Sequence, residues 1–382
     1  MSKSNETTPN VPTLRFREFI DSWTLIPIKK LLRFQNGINA DSTKYGKGIK
    51  YISVSDILNN QYITYDCIKG LIDIDEKTLN RFIVEYGDIL FQRSSETFED
   101  IGRANVYLDK EHSATFGGFV IRGKKISDYN PLFFRYLLCT HNARKQTVRM
   151  GAGAQHYNIG QEGLEKICLY FPCLQEQQKI SDLLFAIDNK IAVQNKIISD
   201  LKVLKKELCR KMLSSIAEYK PLGELCSITT GKLDANANNQ NGLYPFFTCG
   251  KDTLSIDNYA FDGEAILIAG NGDIGHTKYY YGKFNAYQRT YVLMGFKADA
   301  QFVKMGIDTY LPQKISEETQ GGAMPYIKLS TLTSLKIPFT TEEKQLSIRN
   351  HYDTIAQKVE NETKMLDLLL QQKSYFLNAM FI

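Results

Sequence analysis

The sequence predicts a mixed α/β (α+β) chain in which two globular domains alternate with two long helices. Three observations carry that expectation. Two stretches show apolar residues at alternating spacings of four and three, their polar breaks fall at matching places, and the segments leading into them echo one another. At 382 residues the chain exceeds one ordinary core and leaves room for two domains plus something extended.

The first helical stretch runs from Gln175 to Met212. Its apolar positions are Ile180, Leu184, Ile187, Ile191, Ile198, Leu201, Leu208 and Met212, with breaks at Gln194 and Lys205. The second carries Ile348, Tyr352, Ile355, Val359, Leu366, Leu369, Phe376 and Met380, with breaks at Glu362 and Lys373. Each position lies 168 residues after its counterpart, as Ile348 does after Ile180, and the breaks keep the same offset. A 3-4 spacing held this long is the seam of a coiled coil, and shared breaks point to duplication. The polar breaks are read either as tolerance at a wet seam or as residues that set register.

The lead-in segments repeat as well. Gly151–Ile159 (GAGAQHYNI), Leu164–Pro172 and Glu176–Ile180 are echoed by Gly321–Leu329 (GGAMPYIKL), Leu332–Pro338 and Glu342–Ile348. Each set gives a Gly-rich loop, a strand closed by proline, which cannot continue a ladder, and an acidic helix start. Thr340 or Thr341 is the expected N-cap of the second helix. Further upstream, Gly87–Ala104 corresponds to Gly263–Tyr279, both with a turn, an apolar strand, a polar loop and Asp-Ile-Gly. The expected boundaries are a disordered lead-in over 1–13, a first domain over 14–173, a helix over 174–216, a second domain over 217–339 and a helix over 340–382.

No apolar run approaches the roughly 20 residues of a membrane span, and the polar N-terminus lacks the apolar core of a secretory signal. Seven cysteines are scattered without C-x-x-C spacing, so disulfide frameworks and zinc sites are not expected. They read as small buried hydrophobes of a cytoplasmic protein. The net charge of +5 fits a phosphate-facing surface but does not establish one, because no long basic tract is present.

The whole chain resembles the specificity subunits of type I restriction-modification systems. Val11–Ile28 (VPTLRFREFIDSWTLIPI) is similar to that family's opening, as are Ile49–Ile57, the GDIL strand, the Asn130–Leu138 helix and the EQ-x-x-I helix starts. No single segment is specific; their order, given twice, is. The resemblance implies two target-recognition domains separated by helices that pair antiparallel. It implies a non-catalytic subunit that selects a bipartite, asymmetric sequence in double-stranded DNA. Two modification (methyltransferase) subunits dock on it, and two restriction subunits can join. S-adenosylmethionine would then sit on the modification subunits and ATP with magnesium on the restriction subunits, with no cofactor on this chain and no membrane. About 40 helical residues span ~60 Å, against ~34 Å between successive major grooves on one face, so such helices suit a ruler between two readers.

Other motifs are weighed against plain structure. Gly270-Asn271-Gly272-Asp273-Ile274-Gly275 is formally G-x-G-x-x-G, but a dinucleotide site needs a helix next, whereas HTKYYYGKF reads as strand and turn. A loop near DNA and a plain turn are the other readings. Asn130-Pro131-Leu132-Phe133 departs from the methyltransferase Asn-Pro-Pro-Phe pattern and reads as a helix start with proline in the first turn. Five histidines lack ligand spacing, although His156 and His276 fall in the repeated loops.

Base reading uses Arg or Lys against guanine and Asn or Gln against adenine. In the first domain the candidates are Gln92, Arg93, Ser94, Ser95 and Arg103, with Gln155, His156 and Tyr157 in the Gly-rich loop. Lys44, Tyr45, Lys47 and Lys50 are phosphate-contact candidates. In the second domain they are Asn271, Lys278, Tyr281, Lys283, Gln288, Arg289, Met324 and Lys328, with Lys232 and Lys251 weaker. A solvated surface residue is the competing reading at each. The alternatives to a DNA-specificity subunit are a stand-alone restriction or modification enzyme, against which the missing catalytic motifs argue, and a coiled-coil adaptor that does not read DNA.

Overall fold

A computed structural model describes residues 10–153, 157–318 and 326–382. The chain divides into two compact units, 1–194 with 365–382, and 195–364. The divisions fall inside both long helices, not at the domain edges expected from the sequence. The reason is packing: the apolar seam at each helix end joins the core of the nearest domain.

In the first unit a four-stranded antiparallel sheet has the order Leu32–Asn36, Val120–Lys125, Ile89–Gln92, Ala104–Val106. Strand Ile89–Gln92 lies at the centre and is buried along its length, which accounts for its unbroken apolar run. The helix Pro131–Cys139 starts as expected: Asn130 caps it by accepting from Phe133 N at 2.9 Å, and Pro131 stands in the first turn. Its residues Phe133 and Phe134 enter a core with Trp23, Phe91, Ile180, Leu184, Met380 and Phe381. Trp23, Phe133 and Phe381 form an aromatic cluster with ring centroids 5.4–6.2 Å apart. Each such buried side chain contributes about 1.5–3 kcal/mol, so both helix ends are held by the first core. Of the lead-in expected over 1–13, Asn10–Thr13 are described and tied down. Asn10 O accepts from Trp23 N (2.9 Å), and Thr13 Oγ1 donates to Ala379 O (3.1 Å).

The second unit holds a six-stranded mixed sheet, in the order Ser227–Thr230, Thr290–Met294, Phe261–Ala269, Thr277–Ala286, Tyr244–Phe247, Thr253–Ile256. Only the Thr277–Ala286 and Tyr244–Phe247 pair is parallel. The turn expected within HTKYYYGKF is absent; Gly282 continues the strand opposite Gly263. Helix Ala300–Glu318 packs Val303, Ile307 and Leu311 on Ile266, Ile268 and Leu293 of the sheet.

The long helices run Leu174–Ser214 and Glu342–Ala379. Thr341 O accepts from Gln345 N at 3.0 Å, which puts Thr341 at the N-cap, with Glu342 and Glu343 in the first turn. In the first unit Ile180 and Leu184 share a core with Phe376 and Met380. In the second, Cys209, Met212 and Leu213 share one with Ile348 and Tyr352. Early residues of one helix thus meet late residues of the other, so the pair is antiparallel. None of the apolar seam positions named above is exposed. Among the breaks, Lys373 reaches Asp188 at 2.6 Å and Lys205 lies over the Tyr352 ring at 4.2 Å, while Gln194 is buried. The cysteines divide: Cys209, Cys226 and Cys249 are buried as expected, whereas Cys139 and Cys173 are exposed.

Candidate nucleic-acid interface

Each unit carries an open groove at one end of its central sheet, and the same backbone bonds build both. Gln92 O accepts from Gly102 N as Ala269 O does from Gly275 N. Ile159 N donates to Arg93 O as Ile327 N does to Gly270 O. A four-residue turn opens the next strand in each case, closed by Val120 N to Gly117 O (2.8 Å) and by Thr290 N to Tyr287 O (2.8 Å). Arg93 N then binds Phe119 O (2.9 Å), and Gly270 N binds Arg289 O (3.0 Å). These pairs make Phe119 and Arg289 counterparts at the turn tips.

The lining differs. The first groove, about 440 Å³, is walled by Ser94, Ser95, Thr97, Asp100 and Phe119 among others. Gln92 lies beneath it, 5% exposed, donating to Ser94 O at 2.9 Å while its Oε1 has no partner in the described structure. Ser94 Oγ donates to Asn158 Oδ1. Arg93 gives one N–H to Gly118 O (3.2 Å), bracing the Gly117–Val120 turn. Arg103 pairs with Asp100 at 2.6 Å, and the Thr97 hydroxyl with that guanidinium holds the Asp100 carboxyl below the usual carboxylate range. Tyr157 pairs with Ser95 in a short antiparallel ladder and sets its ring 5.2 Å from Phe98.

The second groove, about 530 Å³, brings together Gln288, Arg289, Tyr291, Tyr326 and Lys328. Gln288, Arg289 and Lys328 are exposed, and Asn271 is half-buried beside Gly270. The loop Gly270–His276 returns straight into strand Thr277–Ala286, so no helix N-terminus receives a pyrophosphate and the dinucleotide reading ends there.

Other candidates lie elsewhere in their units or are already engaged. Lys278 donates to Asp252 O (3.0 Å), and burial lowers its ammonium's pKa. Lys283 lies over the Tyr259 ring, and Tyr281 is 74% exposed on the same strand. Lys47 pairs with Asp73 (3.1 Å), Lys50 donates to Ile68 O (2.6 Å), and Tyr45 packs on Tyr51. Lys44 is exposed at the end of the short helical turn Ser42–Lys44, just before the strand Tyr45–Ile52. Gln155, His156 and Met324 lie outside the described residues. Sequence reasoning missed Phe119 and Tyr326, 68% and 61% exposed; the glycine pair before strand Val120–Lys125 was the available signal for the first. Among the described residues no group of three or more His, Cys, Asp or Glu side chains is placed to hold a metal ion, and no helix is long and apolar enough to cross a membrane.

Two α/β units with equivalent frames and different linings define a duplicated recognition module. Residues 22–203 and 216–371 both match the type I restriction modification DNA specificity domain, and the chain belongs to that family. Over 158 residues it is 39% identical to the type I restriction enzyme EcoDI specificity subunit of Escherichia coli, covering 41% of this chain and 35% of that subunit. It is 24% identical to the MjaVIII specificity subunit of Methanocaldococcus jannaschii over 89% of this chain and 90% of that one. Its fold is similar to that of a type I restriction-modification S subunit from M. genitalium, with TM-score 0.61, 17% identity, and 97% and 99% of the two chains covered. A second structure, from work on assembly and conformational transition of a type I system, gives TM-score 0.61 at 14% identity over 93% and 96%.

Proposed function

We propose that this chain is the DNA-specificity subunit of a type I restriction-modification complex and performs no catalysis itself. The observation that carries the reading is the pair of grooves: one backbone frame, used twice with different side chains, inside two matches to one DNA-specificity domain. Different linings call for different half-sites, so the target is bipartite and asymmetric in double-stranded DNA. Two modification subunits would supply the methyl-transfer chemistry with S-adenosylmethionine, and two restriction subunits would bring ATP, magnesium and cleavage. The setting for such a complex is the cytoplasm.

The test is to purify the chain alone and with a modification subunit. Alone it should not methylate DNA, and its binding should weaken steeply with salt as phosphate-bound counterions are released. With the modification subunit, methylation should fall on one split sequence. Methylation by the chain alone would identify a stand-alone enzyme, and absence of DNA binding in both preparations would identify an adaptor.

A further inference from the structure

We infer that Phe119 and Arg289 are equivalent base-reading positions, one in each domain, and that they read different chemistry. Arg289 would take a guanine edge in one half-site, and Phe119 the 5-methyl group of a thymine in the other. The inference rests on the DNA-specificity reading above and extends it to the bases.

The two residues occupy the third position of turns closed by the same bond, and their carbonyls are pinned by equivalent amides, Arg93 N and Gly270 N. Both turns dock against a glycine that leaves no room for a side chain. Gly37 N donates to Val120 O and Gly231 N to Thr290 O, each at 3.1 Å. A Cβ added there would lie 2.0 Å from Gly117 O or 1.9 Å from Ala286 O. The turns are therefore rigid supports that project one side chain each into a groove.

What is projected is unexplained by folding. Phe119 is 68% exposed, although its strand continues into fully buried Val120 and Ile121. Arg289 is exposed, and among the described residues its guanidinium has no hydrogen-bond or ion-pair partner. Arg93 and Arg103, by contrast, are spent on Gly118 O and Asp100. A free guanidinium fork matches the O6/N7 pair of guanine, while an exposed aromatic ring on a groove wall suits the thymine methyl.

The experiment uses the complex of this chain with its modification subunits and maps methylated sites across random-sequence DNA. A wild-type complex without sequence preference defeats the specificity-subunit reading itself. Given a specific wild type, Arg289→Ala should relax one guanine in one half-site on the order of 10- to 100-fold and leave the other half unchanged. Phe119→Ala should act on the opposite half. There, replacing thymine by uracil should weaken wild-type binding about fourfold, the value of one buried methyl, and the variant not at all. Should either alanine variant fail to assemble, Arg289→Lys and Phe119→Leu serve in its place, expected to show the same confinement to one half-site with a smaller change. A specific wild type whose variants keep its preference at every position overturns the inference, as does relaxation spread over both halves.

Discussion

Gln177 and Gln345, 168 residues apart, make the same pair of hydrogen bonds in their separate units. Gln177 Oε1 accepts from Asn130 N (2.9 Å) and its Nε2 donates to Pro172 O (2.9 Å). Gln345 accepts from Asp299 N (2.9 Å) and donates to Thr340 O (2.7 Å). Asn130 and Asp299 are themselves helix caps, binding Phe133 N and Phe302 N. One amide in each unit thus locks the start of a long helix to the capped start of an earlier helix, Pro131–Cys139 in the first unit and Ala300–Glu318 in the second.

Replacing either glutamine by alanine strands a buried N–H and a buried carbonyl, and each change should cost about 2–3 kcal/mol. Gln177→Glu should not rescue, because a carboxylate cannot donate to Pro172 O. The chain has one tryptophan, Trp23, in the first unit's core, so urea unfolding followed by its fluorescence reports Gln177→Ala directly. A midpoint within error of wild type would show that the clamp carries no stability.

A second prediction concerns a charge inside the helix pair. Asp188, 5% exposed, accepts from Lys373 (2.6 Å) and from the Tyr136 hydroxyl (2.7 Å). Burial and that carboxylate together push the Tyr136 phenol pKa upward. Lys373→Met removes the cation but leaves a buried carboxylate, a loss of about 2–4 kcal/mol. Asp188→Asn in the same chain should recover much of it, since no uncompensated charge remains. Additive losses in the double-mutant cycle would mean that the two side chains do not act as a pair.

The helices and the duplication were readable because both are periodic: apolar side chains every three or four residues, and an offset of 168 that survives in the breaks. The grooves were readable only in part. Residue type marked Arg93, Lys50 and Lys278 as contacts, yet each finds a backbone carbonyl, at Gly118, Ile68 and Asp252, that is remote in sequence. Nothing in the local pattern shows which carbonyl comes within reach. Phe119 was overlooked for the opposite reason, since an apolar residue at a strand start is expected inside, whereas the turn 117–120 that opens on the glycine pair leaves it outward. The unit boundaries inside the helices depend likewise on which core Ile180 and Met380 join.

The loop beside the first groove should be sensitive to acid. Asp100 is held below the ordinary carboxylate pKa by Thr97 Oγ1 and then by Arg103. Its stabilisation of the loop is therefore fully present above about pH 3.9 and is lost as pH falls through its lowered folded value. Hydrogen exchange at Thr97–Arg103 should accelerate, relative to the intrinsic rate, only in that acid range, and Asp100→Asn should show the faster exchange already at neutral pH. Equal protection in the variant and the wild type at pH 6 would remove Asp100 from this role.

The last prediction follows from the two glycines under the turns. A methyl group at Gly37 or Gly231 meets a backbone oxygen at 2.0 or 1.9 Å, so the strand and turn must separate and the bonds from Gly37 N to Val120 O and from Gly231 N to Thr290 O must lengthen. Overpacking of this kind costs about 1–3 kcal/mol, and each alanine variant should lose at least that much. Gly160→Ala is the control, because a Cβ there meets nothing within 4 Å and the change should stay within about 0.5 kcal/mol of wild type. In the assembled complex Gly231→Ala should disturb the half-site affected by Arg289→Ala, and Gly37→Ala the half-site affected by Phe119→Ala. Both alanines altering the same half-site would mean that the turns do not each serve one reader.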